Sequence, residues 1–308
     1  MNRAGHWIGV AQVTAGAVLW GSIGLFVTDL ARAGLTTLDV AAVRVGVAWL
    51  CLAGLALAGR MPRPRVAWRH LGFFALYGLV SVALYNVFYF EAITRDGMAV
   101  AVALLNTAPL WTVAGARLVL GERITLAFSI ALAAGTAGTL LVIGIAAPAL
   151  SHASWPGIVF GLGSGLCWGA FGIFGKRVQA RYDAFTTLFH AFLFGGAMLL
   201  AVFILRGGPA RVAALGGHGW MLLLALSVGP TCLAYLLFVS GLHRVSAQEA
   251  ALFTLSETVV AAALGVAWFG ERLSVAQWLG MALVIGAGAS VVVLRRRARI
   301  SLERHNPE

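Results

Sequence analysis

Two lines of hydroxyl and aromatic side chains recur at four-residue spacing: Tyr77, Ser81, Tyr85 and Tyr89 in one stretch, and Ser227, Thr231 and Tyr235 in another. Residues so spaced share one face of a helix. Their chemistry is hydrogen bonding and stacking, which recognises a ligand or joins two helices without breaking a bond. Elsewhere Asn106, Pro109 and Trp111 cluster within one apolar run, Trp20 and Trp168 each precede a glycine, and Glu257 lies near the middle of a further run. A proline inside a membrane helix frees a backbone carbonyl to accept from a ligand or a neighbouring helix. An acid at mid-membrane costs about 2.5–3.5 kcal/mol on insertion scales, so function is the default reading of Glu257. The candidate substrate-binding set is therefore Trp20, Tyr77, Ser81, Tyr85, Asn106, Trp111, Trp168, Thr231, Tyr235 and Glu257.

Bond-breaking chemistry is poorly supplied by comparison. The 11 acids are scattered singly, whereas a membrane-embedded enzyme needs clustered carboxylates or a His/Glu metal set. Gly175-Lys176-Arg177 has the end of a phosphate-binding loop, but Ala170 replaces its first glycine and Arg177 its Ser/Thr. Cys51, Cys167 and Cys232 lie in apolar runs without C-x-x-C spacing and read as small core residues. No enzyme, cofactor or metal is expected. Of the remaining ionisable groups, Arg44 reads as snorkelling, pairing with Asp39 or meeting a substrate, His190 as a hydrogen-bonded core residue, and Glu91 and Arg117 as interfacial.

The elements that must position these residues follow from composition. Of 308 residues 60% are hydrophobic and 11% charged, and the mean hydropathy is +0.91. A soluble domain carries roughly 25% charged residues; this surplus of apolar surface belongs in a bilayer. At ~20 residues per span, ten spans use roughly 200 positions and leave no room for a soluble catalytic domain. Long unbroken apolar runs exclude a membrane barrel, whose strands alternate. The 38 glycines suit closely packed membrane helices. Polar punctuation gives runs at 10 to 28, 37 to 58, 71 to 93, 98 to 120, 125 to 147, 156 to 175, 184 to 205, 219 to 242, 247 to 269 and 275 to 294. Trp7, Trp68, Trp155, Trp220 and Trp278 fall at run edges, as an interfacial belt requires.

Lys and Arg are retained on the cytoplasmic side. With the N-terminus inside, sixteen of the 22 lie there, and Arg32, Arg44, Arg95, Arg206, Arg211 and Arg272 lie outside. Both termini are then cytoplasmic. The basic tail from Arg295 to Arg299 suits lipid headgroups, so the net charge of +11 implies a bilayer partner and no nucleic acid.

An internal repeat is the strongest signal. Trp20-Gly21-x-x-Gly24-x-Phe26 recurs 148 positions later as Trp168-Gly169-x-x-Gly172-x-Phe174. Gly121-Glu122-Arg123 recurs 149 later as Gly270-Glu271-Arg272, and the Tyr77, Ser81, Tyr85 line recurs 150 later. Each copy holds five spans. Five is odd, so the second copy enters from the opposite side of the membrane, an inverted repeat of the kind secondary transporters use. The expected fold is an all-α polytopic membrane protein, ten transmembrane helices in two inverted five-helix repeats, residues 1–150 and 151–308 with the basic tail.

On these motifs the chain resembles the EamA family of the drug/metabolite transporter superfamily over nearly its full length. Pro109 stands where that family commonly has a proline, and the matching position is Thr258, preceded by the family-like Glu257. The resemblance implies a secondary transporter of the bacterial inner membrane that exports small amphipathic metabolites by alternating access, with a narrower likeness to the family's aromatic amino acid exporters. A nucleotide-sugar or drug carrier is the alternative, and the few cationic groups at mid-membrane weigh against phosphate-bearing substrates. The expected partners are a small-molecule substrate and lipid. An internal two-fold supplies a complete pathway, so a monomer suffices.

Overall fold

The computed structural model describes residues 3–144 and 153–305, the side chains beyond residue 291 excepted. The expected repeat boundary near 150 and the side chains of the basic tail lie outside the described residues. Among these residues the secondary structure is helical throughout. In order come α1 (Arg3–Gly21), α2 (Ile23–Arg32), α3 (Thr37–Leu57), α4 (Trp68–Gly78), a π segment (Leu79–Leu84), α5 (Tyr85–Leu105), α6 (Ala108–Val119) and α7 (Leu126–Ile143). Then come α8 (Trp155–Val178), α9 (Ala184–Leu205), α10 (Gly208–Ala213), α11 (Gly217–Leu226), a second π segment (Ser227–Leu233), α12 (Ala234–Leu242), α13 (Ala247–Thr254), α14 (Ser256–Phe269) and α15 (Val275–His305).

Eight segments are long and apolar enough to cross a bilayer: Ala4–Arg32, Thr37–Leu57, Trp68–Leu105, Leu126–Ile143, Trp155–Val178, Ala184–Leu205, Gly217–Leu242 and Ala247–Phe269, with Val275–Val291 a shorter apolar helix. The count differs from ten by two: the runs expected at 71 to 93 and 98 to 120 are divided differently, and the described part of the 275 to 294 run is the shorter Val275–Val291 helix. Helix runs through to Leu105 with a break at Gly97 (φ 82°, ψ 168°), and the 98 to 120 run is cut again at Asn106 and Thr107. Pro109 supplies one cause of that cut, since it has no N–H for the Leu105 carbonyl. The 247 to 269 run is cut at Leu255 without any proline.

Glycine lets these broken helices be covered. A ridge of Gly161, Gly165 and Gly169 on α8 packs against the α5–α6 break: a Cβ on Gly165 would stand 2.9 Å from the Leu104 carbonyl oxygen, and one on Gly169 2.9 Å from that of Ala108. Gly21 does the same at the other break, where a Cβ would stand 2.8 Å from the Glu257 carbonyl oxygen. Thr112 Oγ1 donates to the Ala108 oxygen at 3.0 Å and the Gly169 oxygen at 3.2 Å, joining α6 to α8. Contacts this close leave no room for a side chain.

Two apolar clusters result. The larger draws on α1, α3, α4, α8, α9 and α12, including Trp20, Phe171, Tyr235 and Phe238; the smaller joins α6, α7, α13 and α15 through Val113, Leu132, Leu255 and Val284. Within the smaller, α7 and α15 touch backbone to backbone at Gly138 and Gly280, where a Cβ on Gly280 would meet the Gly138 oxygen at 2.5 Å. Gly286, on the same helix, has nothing within 4 Å.

That contrast gives a matched pair of variants. Gly280→Ala should lower the thermal midpoint of the detergent-solubilised protein by an amount corresponding to about 1–3 kcal/mol of overpacking. Gly286→Ala should leave the midpoint unchanged or raise it slightly. Equal midpoints for the two variants would contradict the α7–α15 contact.

Candidate functional site

Residues from both clusters enclose a cavity of about 580 Å³. Its wall includes six of the ten candidate residues, Trp20, Tyr85, Asn106, Trp168, Tyr235 and Glu257. They arrive from α1, α5, the α5–α6 break, α8, α12 and α14, so the cavity depends on the whole bundle. The aromatic members form one continuous cluster. Trp20 meets Trp168 edge-on at 5.2 Å and Tyr235 at 5.0 Å, Tyr85 meets Trp168 at 5.2 Å, and Phe171 stacks on Trp168 at 5.4 Å. Such pairs are each worth about 0.5–1.5 kcal/mol beyond burial. Tyr85 continues into Tyr89, nearly parallel at 6.3 Å, and the Tyr89 hydroxyl donates to Met98 Sδ at 3.4 Å.

The other four candidates sit away from the cavity wall. Tyr77 is fully buried and donates to the Phe171 carbonyl at 3.1 Å, tying the α4 stretch to α8. Thr231 donates to the Leu226 carbonyl at 2.9 Å, five residues back, and Ser227 to that of Leu223 at 2.6 Å. Ser81 is buried with an unpartnered hydroxyl. Trp111 lies on the outer surface, 38% exposed, its indole N–H on Thr107 Oγ1 at 3.1 Å. Asn106, though in the wall, spends its amide on the Val102 carbonyl at 2.8 Å.

The charged groups differ from their sequence reading. Asp39 does not pair with Arg44. It closes a capping box with Thr36 at the start of α3 and takes both Nε and Nη2 of Arg211 at 2.7 Å. Arg44 is instead 8% exposed and lines the cavity; its Nη2 donates to Asn86 Oδ1 at 3.4 Å, and its Nη1 has no hydrogen-bond partner. Its type and its place within an apolar run were the only sequence signals. Glu91 accepts from Arg206 at 2.7 Å and Arg95 at 3.4 Å, and His190 Nδ1 sits 2.9 Å from the Thr186 carbonyl oxygen. Lys176 donates to the carbonyls of Leu242 and Val245 at 2.5 and 2.6 Å, which ties α8 to the end of α12. Just past that end, partial desolvation and the neighbouring Lys176 and Arg244 hold His243, exposed on its outer side, below the usual histidine range. Among the described residues no group of three or more His, Cys, Asp and Glu comes together as a metal site requires.

The two ends of the cavity are unlike. One end of its wall is Ile143, Glu271, Leu273 and Gln277, and there Glu271 is exposed to solvent. At the other end lies Ala247, buried at the start of α13. Glu122, in the α6–α7 hairpin, accepts from the Ala247 N–H at 2.9 Å and the Gln248 N–H at 3.4 Å, while Gln248 Nε2 donates to the Arg123 carbonyl at 3.1 Å. A carboxylate on a helix N-terminus satisfies orphan N–H groups and complements the helix dipole. Exposed Glu271 thus marks one end of the cavity wall, and buried Ala247, held by the Glu122 carboxylate, marks the other.

Comparison with known proteins gives the family and the fold. The EamA-like transporter family matches the chain over residues 7–144 and again over 155–294. An uncharacterized transporter of Archaeoglobus fulgidus is 28% identical over 279 residues, 90% of this chain and 93% of that protein. The threonine/homoserine exporter RhtA of Escherichia coli is 26% identical over 155 residues, 49% of this chain and 50% of the exporter. A solved crystal structure superposes with a TM-score of 0.78 at 20% identity, covering 96% of this chain and 100% of that one, a likeness of fold. Apolar helices long enough to span a bilayer and a family match over both halves together make the chain a multi-pass membrane protein belonging to the EamA-like transporter family.

Proposed function

We propose that the protein is a secondary transporter exporting small amphipathic metabolites, foremost amino acids including aromatic ones, across a bacterial inner membrane by alternating access. The observation that carries this reading is the cavity itself: about 580 Å³, walled by aromatic rings, with Arg44 and Glu257 as its charged groups apart from Glu271 at the mouth. Such a site suits a ligand that is apolar at one end and polar at the other. The named exporter among the relatives supports an amino acid as cargo. Substrate contact falls to Trp20, Tyr85, Asn106, Trp168, Tyr235 and Glu257; Tyr77 joins its stretch to α8, and Ser81, Trp111 and Thr231 take no part in the wall.

In this reading ten spans form two inverted five-helix units, 1–150 and 151–308, with both termini cytoplasmic. The two family matches support it, as do the helix breaks at Asn106 and Leu255, 149 positions apart, and the two π segments. The Glu271 end then faces outward. Four of the six outward arginines pair with acids there, Arg32 with Asp29, Arg95 and Arg206 with Glu91, and Arg211 with Asp39. Glu122 and Glu271 occupy matching hairpins, one engaged on a helix N-terminus and the other free at the mouth, as two latches that close in turn.

Two experiments test the proposal. Proteoliposomes preloaded with unlabelled phenylalanine or threonine should accumulate the labelled amino acid by counterflow, and failure with a full amino acid panel would remove the substrate assignment. Glu122→Ala should loosen the closed end by the worth of a helix cap, ~1 kcal/mol or roughly fivefold in population. A cysteine at Ala251 should then react several-fold faster with an impermeant thiol reagent applied from the side of the N-terminus. Unchanged labelling would show that Glu122 holds no gate.

A further inference from the structure

Arg44 and Glu257 face one cavity with opposite charge and are not paired with each other. Burying a guanidinium away from water is costly unless its donors are used, yet Arg44 Nη1 has no acceptor, and the group's partners are the amide oxygen of Asn86 at 3.4 Å and, more loosely, the Tyr235 hydroxyl. That amide is itself fixed, donating to the Val82 carbonyl at 2.7 Å. A second buried donor in the same wall, Trp20 Nε1, is also unused. The wall therefore offers two idle N–H donors, one of them cationic, and asks for an anionic acceptor. A carboxylate meets that need, and a guanidinium takes one in bidentate fashion.

Glu257 answers from another wall. It stands in the first turn of α14, where the helix dipole favours negative charge. Tyr85, Tyr89 and Tyr235 line the same cavity, each within electrostatic reach of both Arg44 and Glu257. A ligand carrying only one charge would satisfy one wall and leave the other exposed to a low-dielectric cavity. A ligand carrying both would satisfy each.

We propose that Arg44 and Glu257 form a zwitterion clamp, Arg44 taking the carboxylate and Glu257 the ammonium of a free α-amino acid, while Trp20, Trp168, Phe171 and Phe238 receive its side chain. The clamp rests on the amino acid reading above and adds its recognition rule. It selects free amino acids over peptides blocked at either end, over amines and over carboxylic acids. The aromatic enclosure then sets preference among side chains.

The test is binding to the purified protein in lipid nanodiscs, with labelled phenylalanine and labelled threonine as probes. Competition uses the parent amino acid, its amide, which lacks the carboxylate, and its N-acetyl derivative, which lacks the ammonium. In the unaltered protein both derivatives should compete roughly tenfold to hundredfold less well than the parent, the range for losing a hydrogen bond to a charged group. Arg44→Gln should erase the preference for parent over amide and keep that over the N-acetyl compound, and Glu257→Gln should do the reverse. If either amino acid binds but the derivatives compete equally with it, the clamp is overturned and the amino acid reading stands. If both variants lose both preferences together, the division of labour is likewise overturned. If neither amino acid binds the unaltered protein, clamp and substrate reading fall together. The derivative series in the unaltered protein needs no variant to fold.

Discussion

A backbone carbonyl released inside a bilayer has no water to turn to, and two of this chain's helix breaks lie beside the cavity. The breaks at Asn106–Thr107 and at Leu255 need covering, and the cover is glycine: Gly165 and Gly169 of α8 over one, Gly21 of α1 over the other. The residue preceding each covering glycine of the repeated motif is a tryptophan, so the contact that seals a break also carries Trp20 or Trp168 to the cavity wall. Glu257 is itself the residue whose carbonyl Gly21 covers. Packing and the cavity wall thus share the same few positions, and the cavity could not be moved without rebuilding the core.

The two ends differ in how a hairpin carboxylate is used. Every helix start leaves N–H groups that need an acceptor. At α13 that acceptor is Glu122 from a hairpin whose Gly121 takes the left-handed φ of 69°. The matching Glu271, after Gly270 at φ 66°, is exposed and has no equivalent partner among the described residues. In the proposed alternating-access reading, one carboxylate engaged and its counterpart free are the two states of one latch.

Much of this was legible in the sequence, and the failures have a common cause. Apolar runs, hairpin glycines and the Trp-Gly repeats place the helices and bring Trp20, Trp168, Tyr235 and Glu257 to one cavity. The four-residue lines assume straight α-helices. Each line instead crosses a π segment, Leu79–Leu84 or Ser227–Leu233, where each extra residue turns the face by about 100°. Tyr77 and Thr231 therefore part from Tyr85 and Tyr235. In the second segment Pro230 removes an N–H and gives the wider turn a cause, and the bond from Thr231 to the carbonyl five residues back records it. Trp111 is lost in the same way beyond the Asn106 break. Arg44 was ambiguous because its nearest acid in sequence, Asp39, is claimed by Arg211, 172 residues away, a tertiary fact that no local pattern carries.

The central claim is that the two ends of the cavity open in opposition. Spin labels at the exposed positions Arg123 and His243 report the closed end, and labels at Ala99 and Arg272 the open one. Distances between each pair in nanodiscs, with and without substrate, decide the matter. The account predicts two populations, a short first distance with a long second one and the reverse, their proportions shifted by substrate. Both distances lengthening together, or neither changing under any condition, would contradict it.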